Sequence, residues 1–307
     1  KITTVFLPQI SDKWAINLFL KPMRSPYTKK GKKFISDSKE LSIEVNGRMH
    51  IGYSLGEGPT VVCVHGWAGK TTQFAHIAYQ LAENGYRFVG YDSWAHGANE
   101  GSSASMFDFK DLLIEVLNTE KNVRCVIGHS LGAASVSLAA FEGIQIPRFV
   151  SLGAPVVGED ILDVFIKRIN GTARHKQALR EECRRTFKRE FDEVTMQNTF
   201  SSLKNVPVLG VHGTEDIDAD VRHLDILRKI HPEMLTYKAQ GLGHRRILKD
   251  KKVLSLILEF IKSDRNKKGP ALTKPFVFNL CAYETYRSIR TVPVSRSSIS
   301  SPSWFAM

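Results

Sequence analysis

Val123-Arg124-Cys125-Val126-Ile127-Gly128-His129-Ser130-Leu131-Gly132-Ala133-Ala134-Ser135 is the stretch on which the fold turns. An apolar run of strand length leads into Gly-x-Ser-x-Gly, and small residues follow at once. That order reads as a strand turning sharply into a helix with a serine at the tip, a nucleophile elbow. The flanking glycines have a steric reason, since a side chain at either would meet the neighbouring strand or helix. The helix start also offers free backbone N–H groups to charge developing at the serine. An ordinary strand-to-helix turn carries the same pattern, so the rest of the chain has to decide between them.

Outward from the elbow, further apolar runs are too continuous for a half-exposed sheet: Val61 to Val64, Phe88 to Tyr91, Phe149 to Leu152 and Val206 to Val211. Strands covered on both faces have this composition. Helical stretches over Thr72 to Asn84, Met106 to Thr119 and Leu131 to Glu142 separate them, which predicts β-α-β units and a mostly parallel sheet with helices on both faces. Leu41 to Val45 and Arg48 to Tyr53 alternate about Asn46-Gly47, a hairpin signal that opens the fold. Several strands end in glycine-containing polar turns, His65-Gly66, Asp92 to Gly97, Gly128 to Gly132 and His212-Gly213, where open α/β sheets place their ligands.

The alternation stops between Pro155 and Val206. Ile161, Val164, Phe165 and Ile169 fall at helical spacing, as do Leu179, Cys183, Phe187 and Phe191, each set with charge opposite. The expected organisation is an N-terminal helix and basic linker over 1–40, an α/β domain over 41–263 with a helical cap inserted at 156–205, and a tail over 264–307. Within the first segment, residues 12–21 are expected to be helical and Lys29-Lys30-Gly31-Lys32-Lys33 to be a solvated linker. The aperiodic Ser/Pro/Arg-rich tail is expected to be an appendage without a packed core.

The 307 residues, 42% hydrophobic and 24% charged, suit a well-cored globular protein. Net charge is +12, but residues 1–40 hold nine Lys/Arg against three Asp/Glu and residues 264–307 hold seven against two, which leaves +1 for the remainder. The core therefore offers no electrostatic case for nucleic acid. Trp14 to Leu20 beside Lys29 to Lys33 suggests at most a weak membrane-surface contact, the apolar run being far shorter than the roughly 20 residues that span a bilayer. Cys63, Cys125, Cys183 and Cys281 lack any framework spacing and read as reduced thiols, which points to the cytoplasm. A chain starting at Lys1 keeps a removed signal peptide as the alternative.

A serine hydroxyl needs a base within hydrogen-bond reach and usually a carboxylate to orient that base. Val208 to Val211 runs into His212-Gly213-Thr214-Glu215-Asp216, and Asp216 is the chosen acid, with Glu215, Asp218 and Asp220 as competitors in the same turn. After Leu235 to Ala239, the loop Gly241-Leu242-Gly243-His244 supplies the expected general base, His244. His65 and His212 are expected to brace strand-end turns, His96 to order the loop after its strand, and His129 to face inward from the elbow. The order Ser130, Asp216, His244 is that of a triad built on a parallel α/β sheet. The backbone N–H groups of Leu131 and Trp67 are the candidate oxyanion donors.

With these residues in place the chain resembles the α/β-hydrolase superfamily, esterase/lipase type. His65-Gly66-Trp67 is similar to its oxyanion loop, Gly128 to Gly132 to its elbow, Gly213 to Asp216 to its acid turn and Gly243-His244 to its histidine loop. Gly241 to Leu248 with the Trp67 loop resembles small bacterial hydrolases of unassigned substrate. The resemblance covers about 41–263, extends weakly to Leu18 to Pro22, and lacks the H-G-G-G loop of one esterase branch. It implies a two-step acyl transfer on a small-molecule carboxylic ester of small to medium acyl length, with no metal or organic cofactor. Thioester, amide or carbon–carbon cleavage by the same three residues, and a non-catalytic binding role for the scaffold, are the alternatives.

Overall fold

A computed structural model of the chain describes residues 8–263, so Cys281 and the tail expectation lie outside the described residues. Eight strands form one sheet in the order β1-β2-β4-β3-β5-β6-β7-β8. They are β1 (Lys39–Val45), β2 (Arg48–Leu55), β3 (Thr60–Val64), β4 (Arg87–Tyr91), β5 (Val123–His129), β6 (Phe149–Leu152), β7 (Val208–Gly213) and β8 (Leu235–Ala239). From β4 onward every neighbouring pair is parallel, whereas β2 runs antiparallel to both β1 and β4. The expected mostly parallel sheet is present, with Asn46 and Gly47 both at positive φ in the hairpin turn.

The helices are α1 (Pro8–Phe19), α2 (Lys29–Asp37), α3 (Ala75–Glu83), α4 (Met106–Thr119), α5 (Leu131–Phe141), α6 (Gly158–Arg168), α7 (Ala173–Phe187), a single turn α8 (Met196–Thr199), α9 (Arg222–Ile230) and α10 (Lys251–Lys262). Two apolar layers sandwich the sheet. One gathers Phe34, Phe74, Leu81, Phe88 and Ile127 with the buried face of α10, and the other gathers Val62, Val126, Phe149, Phe200 and Leu203 with α4 and α5. Central strands buried on both faces account for their unbroken apolar runs.

The basic stretch after the first helix is not a linker. Lys29–Asp37 is helical, capped by Thr28 Oγ1, which accepts the Gly31 N–H at 3.0 Å, and anchored by the fully buried Phe34. Gly31 lies against Thr72, where an added Cβ would stand 3.2 Å from Oγ1 and the threonine would have to shift slightly to admit it. The lysines point outward while one aromatic ring does the anchoring, worth roughly 1.5–3 kcal/mol.

Helices α6 and α7 are inserted between β6 and β7 and share a small apolar cluster of Leu162, Ile166 and Leu179 with Ile16 and Phe19 of α1. Phe19 meets Phe165 edge-on at 4.9 Å, and Ser11 and Asp12 of α1 bond His175 and Arg174 of α7 at 2.8 and 2.7 Å. Phe191, expected on the same helical stripe as Leu179, falls beyond α7. The helix stops at Phe187 because Lys188 takes a left-handed conformation, and Phe191 then returns to Phe19. No helix among the described residues is long and apolar enough to cross a membrane.

The tightest point in the fold is where α5 leaves the sheet. A Cβ on Gly132 would stand 2.2 Å from the Val64 carbonyl oxygen and 2.6 Å from that of His65, both backbone atoms with no freedom to withdraw. Gly132→Ala should therefore cost about 3 kcal/mol, in the range of overpacking and backbone-clash variants. Urea unfolding checks this, and a loss under about 0.5 kcal/mol, typical of an unstrained surface site, would contradict it.

Candidate active site

Ser130 sits between β5 and α5 with φ 54 and ψ −124, a strained conformation for a residue with a side chain. The turn around it leaves no alternative. Its N–H donates to the Leu152 carbonyl at the end of β6 at 2.9 Å, and its carbonyl accepts the Ala133 N–H at 2.9 Å. On the sheet side a Cβ on Gly128 would stand 2.5 Å from Ala133 Cα, and one on Gly66 would stand 2.8 Å from Ser130 Cβ. The serine is therefore clamped between the ends of β3, β5 and β6.

Asp216 and His244 meet at the same end of the sheet. Nδ1–H of His244 donates to Asp216 Oδ2 at 2.7 Å, while Asp216 Oδ1 accepts the N–H groups of Asp218 and Ala219, each at 2.9 Å. The Asp216 side chain has no solvent exposure. Burial alone would raise its pKa, but the bonds from His212 and His244 and the Ala219 backbone amide outweigh it and hold the carboxyl well below the usual range. His212 Nε2–H donates to the Ala219 carbonyl at 2.8 Å and lies 3.4 Å from Asp216 Oδ2, so it braces the acid turn as expected. The other acids of this turn are committed elsewhere: Glu215 to Arg246, Asp218 to Arg168, and Asp220 to the Arg222 N–H.

The loop carrying His244 is wedged onto the acid turn. Glu215 N–H donates to the Leu242 carbonyl at 2.9 Å, Gly241 N–H to Thr214 Oγ1 at 2.9 Å, and a Cβ on Gly213 would stand 2.2 Å from that same Leu242 oxygen. Two contacts were not legible in the sequence. His129, adjacent to Ser130, is buried and donates through Nε2–H to the His244 carbonyl at 3.0 Å, with ring centroids 4.7 Å apart. Gly153, at φ 56 after β6, faces the acid–base pair, where an added Cβ would stand 3.3 Å from both Asp216 Oδ2 and His244 Nδ1. The sole sequence signal for it was a glycine ending an apolar strand.

These contacts bring the elbow and the His244–Asp216 pair to one edge, the His129 bond tying them together. The Ser130 hydroxyl itself makes no hydrogen bond to the His244 ring in this structure; bonds of this kind often tighten only when substrate binds. Trp67 follows Gly66, which packs under Ser130, and Leu131 is the first residue of α5, whose leading N–H groups have no intrahelical acceptor. Asp216, Asp218 and His244 bring ligand atoms within 4.8 Å of one another, the one metal-sized group among the described residues. Both Asp216 oxygens already accept N–H donors and Asp218 pairs with Arg168, so the group is satisfied as it stands.

Burial holds three histidines around this edge neutral. It takes His65 down to about 4, it takes His96 to about 3 with help from His65, and it takes His129 to about 3 with help from His244. Unfolded histidines bind a proton near 6.5, so between that value and about 4 the unfolded chain holds more protons than the folded one. Stability should thus fall as pH is lowered from 7 through 4. Thermal unfolding across that range checks the sign, and a melting temperature that stayed flat or rose on acidification would contradict it.

Residues 58–173, which include Trp67, Ser130 and Leu131 but neither Asp216 nor His244, match the family model described as serine aminopeptidase, S33. A search of curated proteins finds no match. Among solved structures, an esterase of Pyrococcus furiosus is 19% identical with a TM-score of 0.59, covering 79% of this chain and 96% of its own. A thioesterase domain from the curacin biosynthetic pathway is 18% identical with a TM-score of 0.55, covering 72% of this chain and 99% of its own. A membrane phospholipase A described as a bacterial virulence factor is 14% identical with a TM-score of 0.59, covering 86% of this chain and 94% of its own. Together with the sheet order, these likenesses show that the chain has the α/β-hydrolase fold.

Proposed function

We propose that the chain is a serine hydrolase that cleaves carboxylic esters of small to medium acyl length through an acyl-enzyme. The observation that carries this reading is the strained Ser130 turn tied, through His129, to a histidine already oriented by a buried carboxylate. Because His244 Nδ1 keeps its proton on Asp216, the unprotonated Nε2 is the ring atom left to accept the serine proton.

In this mechanism Ser130 Oγ attacks the ester carbonyl as its proton passes to His244 Nε2. The carbonyl oxygen becomes an oxyanion held by the backbone N–H groups of Leu131 and Trp67. Collapse expels the alcohol, which takes the proton from His244 and leaves Ser130 acylated. Water then gives a proton to His244 and attacks the acyl carbonyl, and the second collapse releases the acid and returns the proton to Ser130. Asp216 stays ionised throughout and stabilises the imidazolium, consistent with a carboxyl held well below its usual range. Each oxyanion donor would contribute roughly 2.7–4 kcal/mol to lowering the barrier.

The esterase and phospholipase among the structural neighbours support ester substrates, and the thioesterase domain supports acyl transfer more broadly. A panel of p-nitrophenyl esters and acyl-thioesters separates the two. Short esters should turn over, Ser130→Ala should abolish turnover, and Asp216→Asn should lower kcat by about 10³–10⁴-fold with a smaller change in KM, the cost of losing the correct tautomer. Rapid thioester turnover with inert esters would replace the ester reading, and activity surviving in Ser130→Ala would overturn the serine mechanism.

A further inference from the structure

Two loops at the strand ends beside Ser130 are bound together in a reciprocal way. One follows β3 and holds His65, Gly66, Trp67 and Ala68. The other follows β4 and holds Asp92 to Asn99. Each loop's histidine accepts a backbone N–H from the other: Ser93 N–H donates to His65 Nε2 at 2.9 Å, and Ala68 N–H donates to His96 Nε2 at 3.1 Å. The opposite nitrogen of each ring donates within its own loop, His65 Nδ1–H to the Gly66 carbonyl and His96 Nδ1–H to the Trp94 carbonyl, both at 2.8 Å. A carbonyl can only accept and an amide N–H can only donate, so both rings must be neutral Nδ1–H tautomers. The rings lie 5.1 Å apart, each 5.0 Å from Phe109, and both are 1% exposed.

The consequence for Trp67 follows from peptide planarity. Its N–H lies in the same plane as the Gly66 carbonyl and points the opposite way. That carbonyl is held by His65 Nδ1–H and by the Gly69 N–H at 3.0 Å, so its orientation dictates the direction of the Trp67 N–H. The next plane, Trp67 to Ala68, is held by His96 through the Ala68 N–H. Ala68 sits at φ 54, a left-handed conformation that a residue with a Cβ keeps only when its surroundings impose it. The Trp67 ring also packs 5.2 Å from the His96 ring.

We propose that His65 and His96 are positioning residues that lock two successive peptide planes and so hold the Trp67 N–H aimed at the site beside Ser130 before substrate arrives. The catalytic part rests on the ester-hydrolase reading above, whereas the lock stands on its own geometry. Burial that depresses the proton affinity of both rings suits the role, since a proton on either Nε2 would set donor against donor.

The test has a structural arm and a catalytic arm. In ¹⁵N-histidine-labelled wild type, His65 and His96 should show protonated Nδ1 and bare Nε2 down to about pH 5, and the Ala68 amide should exchange slowly. His96→Leu removes the acceptor, whereas His96→Gln can offer its amide oxygen in place of Nε2. The leucine variant should exchange Ala68 faster and lose at least about tenfold in kcat with KM nearly unchanged, and the glutamine variant should recover most of both. Nε2-protonated or cationic rings in wild type overturn the lock whether or not the variants fold. A folded His96→Leu with unchanged Ala68 exchange overturns it too, and faster exchange with kcat within about twofold of wild type overturns the positioning role. If Ser130→Ala keeps full turnover, the serine reading fails by itself, and the labelling and exchange results still decide the lock.

Discussion

The turn at Ser130 depends on a contact of closest approach: α5 can start where it does only because Gly132 has no side chain to set against the Val64 and His65 carbonyls. That contact brings the start of the helix onto the end of β3, and it is why the loop after β3 lies beside the serine. The strained φ and ψ of Ser130 are imposed from three strands at once, through Gly66, Gly128 and the bond to Leu152. Strain so over-determined persists, and it keeps the hydroxyl at the tip of the turn.

Around this point the electrostatics divide sharply. One buried carboxylate, Asp216, is kept ionised by His212, His244 and two backbone amides. The buried histidines His65, His96 and His129 are kept neutral by burial, and their bonds go mainly to backbone groups of neighbouring loops. A buried network of this kind is rigid only if every tautomer is set by its partners, and here the carbonyl on one ring nitrogen decides what the other can do.

The parts of this arrangement that local chemistry dictates were readable from the chain. Parallel strands covered on both faces announce themselves as unbroken apolar runs, Asn46-Gly47 announces a hairpin, and Gly128 to Gly132 announces a sharp strand-to-helix turn. The placement of Asp216 against His244 was approachable because both follow strands that end at the same edge, although four acids in one turn left the choice to geometry. Helix α2 was not readable, because four lysines around Gly31 mask the single buried Phe34 that anchors it. Neither was the end of α7 at Lys188, where one left-handed residue diverts Phe191 toward Phe19. The reciprocal histidine bonds leave no period at all, since each joins a side chain to the backbone of a loop about 28 residues away.

The central claim is that Ser130 is an activated nucleophile, and covalent labelling tests it most directly. Intact-protein and peptide mass spectrometry after exposure to a fluorophosphonate should find a single adduct on Ser130, absent from Ser130→Ala and strongly slowed in His244→Ala. Folded wild-type protein that stays unlabelled, or that carries its adduct at another residue, would contradict the account and leave the fold as a binding scaffold.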